Sequence, residues 1–477
     1  MKCTKVIDIL KQTAQRYPQS VAVIDPFGKM TYAELLSQVS RYIESLSPRV
    51  KKGSHVGVCL QNSREFIAML FAASACDLTV IPLGNNLSRA EVEAFAEDLD
   101  IDYLIQHTSS PLDQKRFWKG ELIADEIVLK ESSVPTAQHN YPDAAFIRPT
   151  SGTTGAAKGV VFLHSTIIER VDNALKGLQL DHSDKVLWVL PMAYHFIVSI
   201  FLYVRAGATV ILPKNADALD LIELANTESA SVIYAGPLHY ALLSEDQGDK
   251  KLPPMKWCIS TAGGVSPALA KKFEERHLNP LRQVYGIIEV GLPVGNLSKI
   301  PAPAGSIGQV QDGFEVSVQD EGGNILGPGQ TGELLIRGNG LFEGYYKPYL
   351  QKDYSLEKEW FRTGDLVSFD KENNYYIAGR KKSMHVVAGN KVFSEEVERV
   401  LNEHPAVAVS KVFSTPHELV GESLSAHIQL KENCNVVLDE VKKFCKKRLS
   451  GYKVPQNIAV VETIPLTPTG KVIRSDW

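Results

Sequence analysis

The chain has 477 residues, 44% of them hydrophobic and 22% charged, with a formal net charge of −4. That length and balance suit a soluble globular protein of two or more domains, and they exclude disordered and fibrous classes. The charge gives no case for nucleic-acid binding, although residues 381–477 stand at +3 against −7 for residues 1–380. Six cysteines, at 3, 59, 76, 258, 434 and 445, make no Cys-x-x-Cys pair and no zinc-type spacing with His, which is the usage of buried or free thiols in a reducing compartment. There is no signal-peptide core at 1–25 and no run of about 18 apolar residues. A cytoplasmic protein without a membrane span is expected.

From about residue 54 to 240, short apolar runs alternate with segments of helical period. "HVGVCL" is followed by "SREFIAMLFAASAC" and "LTVIPL"; later come "VLWVLPM", "ATVILP", "SVIYAGP" and "KWCIST", each bounded by Pro, Gly or a polar turn. This is the pattern of βαβ units and a parallel sheet. Between them lies "PTSGTTGAAKGVVF" at 149–162, whose glycines, hydroxyls and lysine suit a phosphate cradle. It is not a P-loop, because Ala157 precedes Lys158 and Gly159 follows it, where that motif needs Gly before the lysine and Ser or Thr after. Val160, Val161 and Phe162 favour a strand, so the unit reads as strand, hydroxyl-rich turn, strand.

After Pro301, "FEVSVQDEGGNILGPGQTGELLIRG" predicts strand, glycine turn and strand in a small β region that closes a large domain over 1–380;. A small domain over 381–477 follows. Ser394 is placed to cap the helix "SEEVERVLNEHPAV", with two acids in its first turn. A second helix near 438–449 puts Leu438, Val441 and Cys445 on one face and lysines on the other;.

Four further stretches place small or charged residues at abrupt turns: "STAGG" at 260–264, "QVYGIIE" at 283–289, "WFRTGDL" at 360–366 and "IPLTPTGKVIR" at 464–474. Each alone reads as an ordinary turn. Taken in order, with "TSGTTGAAKG" ahead of them and "GRKKS" before the last, they resemble the adenylate-forming superfamily of acyl-CoA synthetases, peptide-synthetase adenylation domains and beetle luciferases. The resemblance runs from "TYAELL" at 31–36 to the terminal lysine motif.

It implies an α/β fold: a large N-terminal domain of parallel-sheet subdomains with a small β region, then a mobile α+β C-terminal domain. It also implies that a carboxylate attacks the α-phosphorus of ATP, pyrophosphate leaves, and a thiol captures the acyl-adenylate. By this resemblance Thr150, Ser151, Gly152, Thr153, Thr154, Gly155 and Lys158 take the ATP phosphates, and Glu289 is the Mg2+ ligand. Tyr285 and Gly286 with Gly263 and Gly264 bound the adenine. Asp365 and Arg380 hold the ribose, and Lys471 bridges carboxylate and adenylate. The small domain turns at Lys382 and brings Gly389 onto the thiol's path.

"LPMAYHFIVSIF" at 190–201 matches the family's acyl-pocket segment. Tyr194, His195, Phe196, Val198 and Ile288 are its candidate lining, with His195 also a candidate catalytic group. No aspartate stands there to pair an α-ammonium, so an alkyl or aryl acid is expected. The acceptor is coenzyme A, with a carrier-protein phosphopantetheine or an amine as alternatives. A degenerate nucleotide- or acyl-binding protein is the competing class. Departures from the family pattern fall at Ala157, Ser383, Val386, Lys391 and Ile288, the last in place of a threonine that meets the α-phosphate.

Overall fold

The computed structural model describes residues 3–110, 117–134, 139–150, 158–347, 350–351, 359–387, 390–417, 421–467 and 472–474. The chain groups into two compact units, one of residues 1–301, 310–315 and 337–361 and the other of residues 302–309, 316–336 and 362–477. The β region after Pro301 therefore contributes most of its strands to the second unit, since a sheet collects those residues whose backbone groups it pairs.

Among the described residues the first unit holds two nine-stranded sheets. One has six parallel strands in the spatial order Leu281–Ile287, Trp257–Ser260, Val232–Ala235, Lys185–Trp188, Thr209–Ile211, Val21–Asp25. The apolar runs read from the sequence supply the middle four; Val21–Asp25 is not among those runs, and Leu281–Ile287 overlaps the stretch read as a turn at 283–289. Buried on both faces, they carry continuous rather than alternating apolar residues. Leu187, Ile211, Ile233 and Cys258 join Leu221, Leu243 and Phe273 in one core.

In the other sheet, Tyr103–His107, His55–Cys59, Thr79–Pro82 and Phe146–Thr150 are parallel neighbours. Phe146–Thr150 then pairs antiparallel with Lys158–Phe162, which pairs antiparallel with Gly344–Tyr345. The expected strand, turn, strand is thus an antiparallel hairpin whose turn lies outside the described residues. Ser63 caps Arg64–Ala75 by accepting from Phe66 N, four residues after the strand His55–Cys59 ends;.

His55 lies in the core of this sheet and stacks on His139 with ring centroids 3.5 Å apart. His139 meets Asp102 at 2.8 Å and the Tyr346 hydroxyl at 3.2 Å. Burial, then the neighbouring His139, pulls the His55 imidazole down to about 4, against weaker support from Leu99 O, Asp102 and Asp100. A base with a depressed folded pKa contributes stability that is full above its unfolded value near 6.5 and is lost as pH falls towards 4, by about 3 kcal/mol over that window. Denaturant midpoints followed from pH 7 to 4.5 are expected to fall more steeply in the wild type than in His55→Gln. Parallel curves would remove His55 as the cause.

Most of a four-stranded sheet, in the order Phe314–Gln319, Gly332–Gly338, Phe361–Phe369, Tyr375–Arg380, falls in the second unit. A single turn, Lys381–Ser383, leads from it into a five-stranded sheet with two helices, Ser394–Asn402 and Leu438–Lys446. Val441 and Cys445 bury their side chains with Val397, Leu401, Leu424 and Ile428, as the periodicity predicts. Ser394 is not the cap. Phe393 holds that position, and the buried Ser394 hydroxyl instead donates to Val412 O at 2.8 Å and meets His385 Nε2 at 2.7 Å. A neighbouring strand carbonyl has replaced the helix's own amides as its partner. Glu395 and Glu396 do occupy the first turn.

All six cysteines are free thiols, and Cys59, Cys76, Cys258 and Cys445 are buried. Among the described residues no helix is long and apolar enough to cross a membrane.

Candidate active site

Parallel strands end at one edge of their sheet, and open α/β sheets bind ligands there. Lys185–Trp188, Val232–Ala235, Trp257–Ser260 and Leu281–Ile287 are in register through Trp188 with Tyr234, Ala235 with Ser260, and Ser260 with Gln283. Their common edge therefore gathers Tyr194 and His195 after the first, Gly263 and Gly264 after the third, and Tyr285, Gly286, Ile288 and Glu289 at the end of the fourth. These candidates lie up to about 100 residues apart in sequence, and the sheet brings them to one edge.

The acyl segment is a short helical turn, Met192–His195, followed by a π-helical turn, Phe196–Phe201. The His195 ring lies edge-on to Trp188 with centroids 6.3 Å apart, and the buried Phe196 ring lies 5.0 Å from that of Phe146. Val198 leaves the helical region at φ −89°, ψ 27°. Tyr194 comes so close to Gly84 that a Cβ there would stand 2.6 Å from its hydroxyl, so a side chain at this position would have to displace the phenol. Burial holds the Tyr194 phenol above its ordinary value, with Arg148 opposing.

Gly286 is exposed, yet a Cβ at this position would stand 2.6 Å from Gly291 O. Gly263 and Gly264 are exposed, while Tyr285 is buried to 7% exposure. Ile288 is half-buried, so its chain is available both to core and to ligand.

Glu289 accepts the Tyr345 hydroxyl on Oε1 at 2.9 Å. Its main chain is held as well: Glu289 O accepts Phe342 N at 2.8 Å and the Arg170 guanidinium. Arg170 also donates to Ile288 O at 2.7 Å and to Gly340 O, and it lies over the Phe162 ring at 4.6 Å. Burial draws the Arg170 guanidinium down to about 9, with Glu289 opposing, so it remains charged at neutral pH. The Tyr345 phenol is pushed far up, by burial first and then by Glu289, and stays a hydrogen-bond donor.

Arg148, Arg170 and Tyr345 were not among the sequence candidates. Arg170 carried a signal: it falls on the apolar stripe of His164–Leu178 with Ile167, Val171 and Ala174, where a charge needs buried partners. Arg148 carried another, as the one charged residue in "AAFIRPT".

In the second unit the antiparallel register sets Asp365 opposite Arg380, and Arg380 Nε donates to Asp365 Oδ1 at 2.8 Å. The two ribose candidates are therefore neighbours, Asp365 4% exposed and Arg380 largely exposed. Lys382 is exposed in the connecting turn, and Ser383 beside it is buried. In the hairpin of the first unit, the backbones of Thr150 and Lys158 are register partners. Ser151, Gly152, Thr153, Thr154, Gly155, Ala157, Gly389 and Lys471 lie outside the described residues, as do the side chains of Thr150, Lys158, Val386 and Lys391.

No group of three or more His, Cys, Asp and Glu suited to a metal ion occurs among the described residues. One carboxylate is nevertheless sufficient for magnesium, which takes most of its oxygens from phosphate and water. Glu289 is a half-buried carboxylate whose Oε1 accepts from the Tyr345 hydroxyl.

The sequence model of AMP-binding enzymes matches residues 10–346, and that of the AMP-binding enzyme C-terminal domain matches residues 396–471. Among curated proteins, a long-chain-fatty-acid–CoA ligase of Yersinia pestis is 30% identical over 99% of this chain and 94% of its own length. A 2-succinylbenzoate–CoA ligase of Bacillus subtilis is 27% identical over 98% and 96%. Among solved structures, O-succinylbenzoate coenzyme A synthetase of Bacillus subtilis in complex with AMP superimposes with a TM-score of 0.84 at 24% identity, covering 98% of this chain and 97% of that one.

Proposed function

The chain belongs to the AMP-binding enzyme family, and from that premise we propose that it is an AMP-forming acid–thiol ligase for an uncharged alkyl or aryl carboxylic acid, with coenzyme A as acceptor. The observation that carries the proposal is the shared edge of the parallel strands, where an aromatic and aliphatic segment, exposed glycines and Glu289 come together.

The acid's carboxylate attacks the α-phosphorus of ATP and pyrophosphate leaves. The thiol then displaces AMP from the acyl-adenylate. Donors on the hairpin from Thr150 to Lys158 bind the leaving phosphates, since charge building on them is what catalysis has to stabilise. Asp365, held by Arg380, has two oxygens for the two ribose hydroxyls. Exposed Gly263, Gly264 and Gly286 give a flat adenine room beside Tyr285. Glu289 would hold magnesium, which when bound neutralises the phosphate oxygens. Lys471 binds the reacting carboxylate during adenylation; rotation about Lys382 then withdraws it and brings Gly389 to the thiol. His195, in the acyl segment, is the candidate acid–base group.

The apolar acid follows from the electrostatics. The segment from Tyr194 to Val204 has no carboxylate, and the charge that acts on its Tyr194 from the neighbouring sheet is the Arg148 cation. A substrate ammonium there would lack a counter-ion, at a cost of at least about two decades in kcat/KM. ATP–pyrophosphate exchange over a panel of acids is therefore expected to respond to alkyl or aryl acids and not to free amino acids. The adenylate should discharge onto coenzyme A in preference to a phosphopantetheinylated carrier. Exchange with amino acids alone would overturn the acid assignment, and discharge onto the carrier alone would overturn the acceptor.

A further inference from the structure

Arg148 is a cation that the adenylation scheme leaves without a role. Strand register fixes its surroundings. Arg148 is the partner of Val160, and Val160 is the partner of Tyr345 on its other side. Paired and alternate residues share a face, so Phe146, Arg148, Val160, Phe162 and Tyr345 form one face of this sheet. The opposite face is dry core: a Cβ at Gly159 would stand 2.7 Å from both Ile147 Cγ2 and Leu99 Cδ2.

Arg148's face carries the groups of the site. Two residues before it, Phe146 packs on Phe196 of the acyl segment with ring centroids 5.0 Å apart. Across two strands, Tyr345 holds Glu289. Two residues after Arg148 begins the hydroxyl-rich turn. Arg148 thus stands between the acyl segment and Glu289, and Glu289 and then Tyr194 support its charge against burial.

Its donors set it apart from Arg170. Arg170 spends its guanidinium on three backbone carbonyls. The Arg148 Nε is buried and makes no hydrogen bond among the described residues. A half-buried guanidinium with an idle donor is costly unless an anion completes it, and its planar fork matches a carboxylate. Ile288, meanwhile, offers no hydroxyl to the reacting oxygens.

We propose that Arg148 is a carboxylate-binding residue of the adenylation step, holding the acid's reacting carboxylate against the α-phosphorus. The inference rests on the ligase reading above. A carboxylate oxygen forms the new bond to the α-phosphorus of ATP, the bond from that phosphorus to the bridging oxygen of the β-phosphate breaks, and pyrophosphate departs with the electron pair. No proton moves. Arg148 offsets the repulsion between the acid and ATP and fixes which oxygen attacks.

The test is exchange kinetics of the full chain with octanoate, benzoate and suberate as acids, for the wild type, Arg148→Met and Arg148→Lys. Losing a charged hydrogen-bond donor should raise KM for octanoate or benzoate by about 10- to 100-fold with KM for ATP within about twofold, and lysine should recover part of the loss. An effect confined to suberate would assign Arg148 to a distal anionic group and overturn the proposal. So would a shift in KM for ATP or in magnesium dependence instead, which would make Arg148 a support for Glu289. If Arg148→Met does not fold, the split between the two KM values in Arg148→Lys decides. If the wild type exchanges with none of the acids, the ligase reading is what fails; calorimetry with octanoyl sulfamoyladenosine against AMP then decides on Arg148, whose methionine variant should weaken the first and leave the second unchanged. Equal affinities for the sulfamate in wild type and variant would refute the role.

Discussion

Lys471→Ala is expected to lose ATP–pyrophosphate exchange by about 10²–10³-fold, the usual cost of removing one positioned donor to a charge that develops in the transition state. The lysine follows Thr469 and Gly470 in the motif near the end of the chain, and its long flexible stem carries a compact positive charge suited to a carboxylate and a phosphate oxygen together. The same variant should still pass a chemically synthesised acyl-adenylate to coenzyme A at close to the wild-type rate, because in the proposed scheme rotation about Lys382 has already withdrawn the lysine. The informative quantity is the ratio of the two losses. If both half-reactions fall together, a single conformation serves both, and Lys382 has no role as a pivot.

Arg170→Met is expected to cost about 3–5 kcal/mol of stability, the other large effect. Methionine fills much of the space but donates nothing, so Ile288 O and Gly340 O lose their donor inside the protein, at about 1–3 kcal/mol each, and Glu289 O keeps only Phe342 N. Replacing a buried charge by an apolar group is harmless when its partners are replaced too. Here the carbonyls remain, so the loss prevails. Because the carbonyls belong to the residues around Glu289, the surviving folded protein should also need more magnesium for half-maximal exchange. Denaturant melts and a magnesium titration read the two effects. An unchanged melt would mean that water or a shifted backbone satisfies these carbonyls, and Arg170 would then be no clamp.

The parts of the site legible in the sequence are those in which function depends on backbone shape or on one residue type at one spacing. "TSGTTGAAKG" announced a hairpin because Val160, Val161 and Phe162 cannot favour a helix there, and Lys158–Phe162 is a strand. Asp365 and Arg380 were chosen for separate motifs, and a two-strand register sets them side by side. The helix expected near 438–449 was readable from Leu438, Val441 and Cys445, since an amphipathic face needs only its period, although it ends at Lys446;.

What composition and motif could not convey was contact between residues far apart in the chain. Tyr345 reaches Glu289 across 56 positions, and Arg170 reaches Gly340 across 170. Neither pairing has a local period or a spacing rule, because each depends on which strands the sheet places next to one another. Ser394 shows the same limit at short range: its sequence position suits a cap, but a buried hydroxyl bonds to the acceptor that packing supplies, and that is Val412 O.

The order of apolar runs, the turn chemistry and the family motifs were therefore determined by the sequence itself, since each is a preference of a few consecutive residues. The setting of Glu289 between Tyr345 and the Arg170 clamp, and the position of Arg148 beside the acyl segment, were decided by tertiary structure, because the free energy of a buried charge depends on partners that only the folded sheet brings within reach.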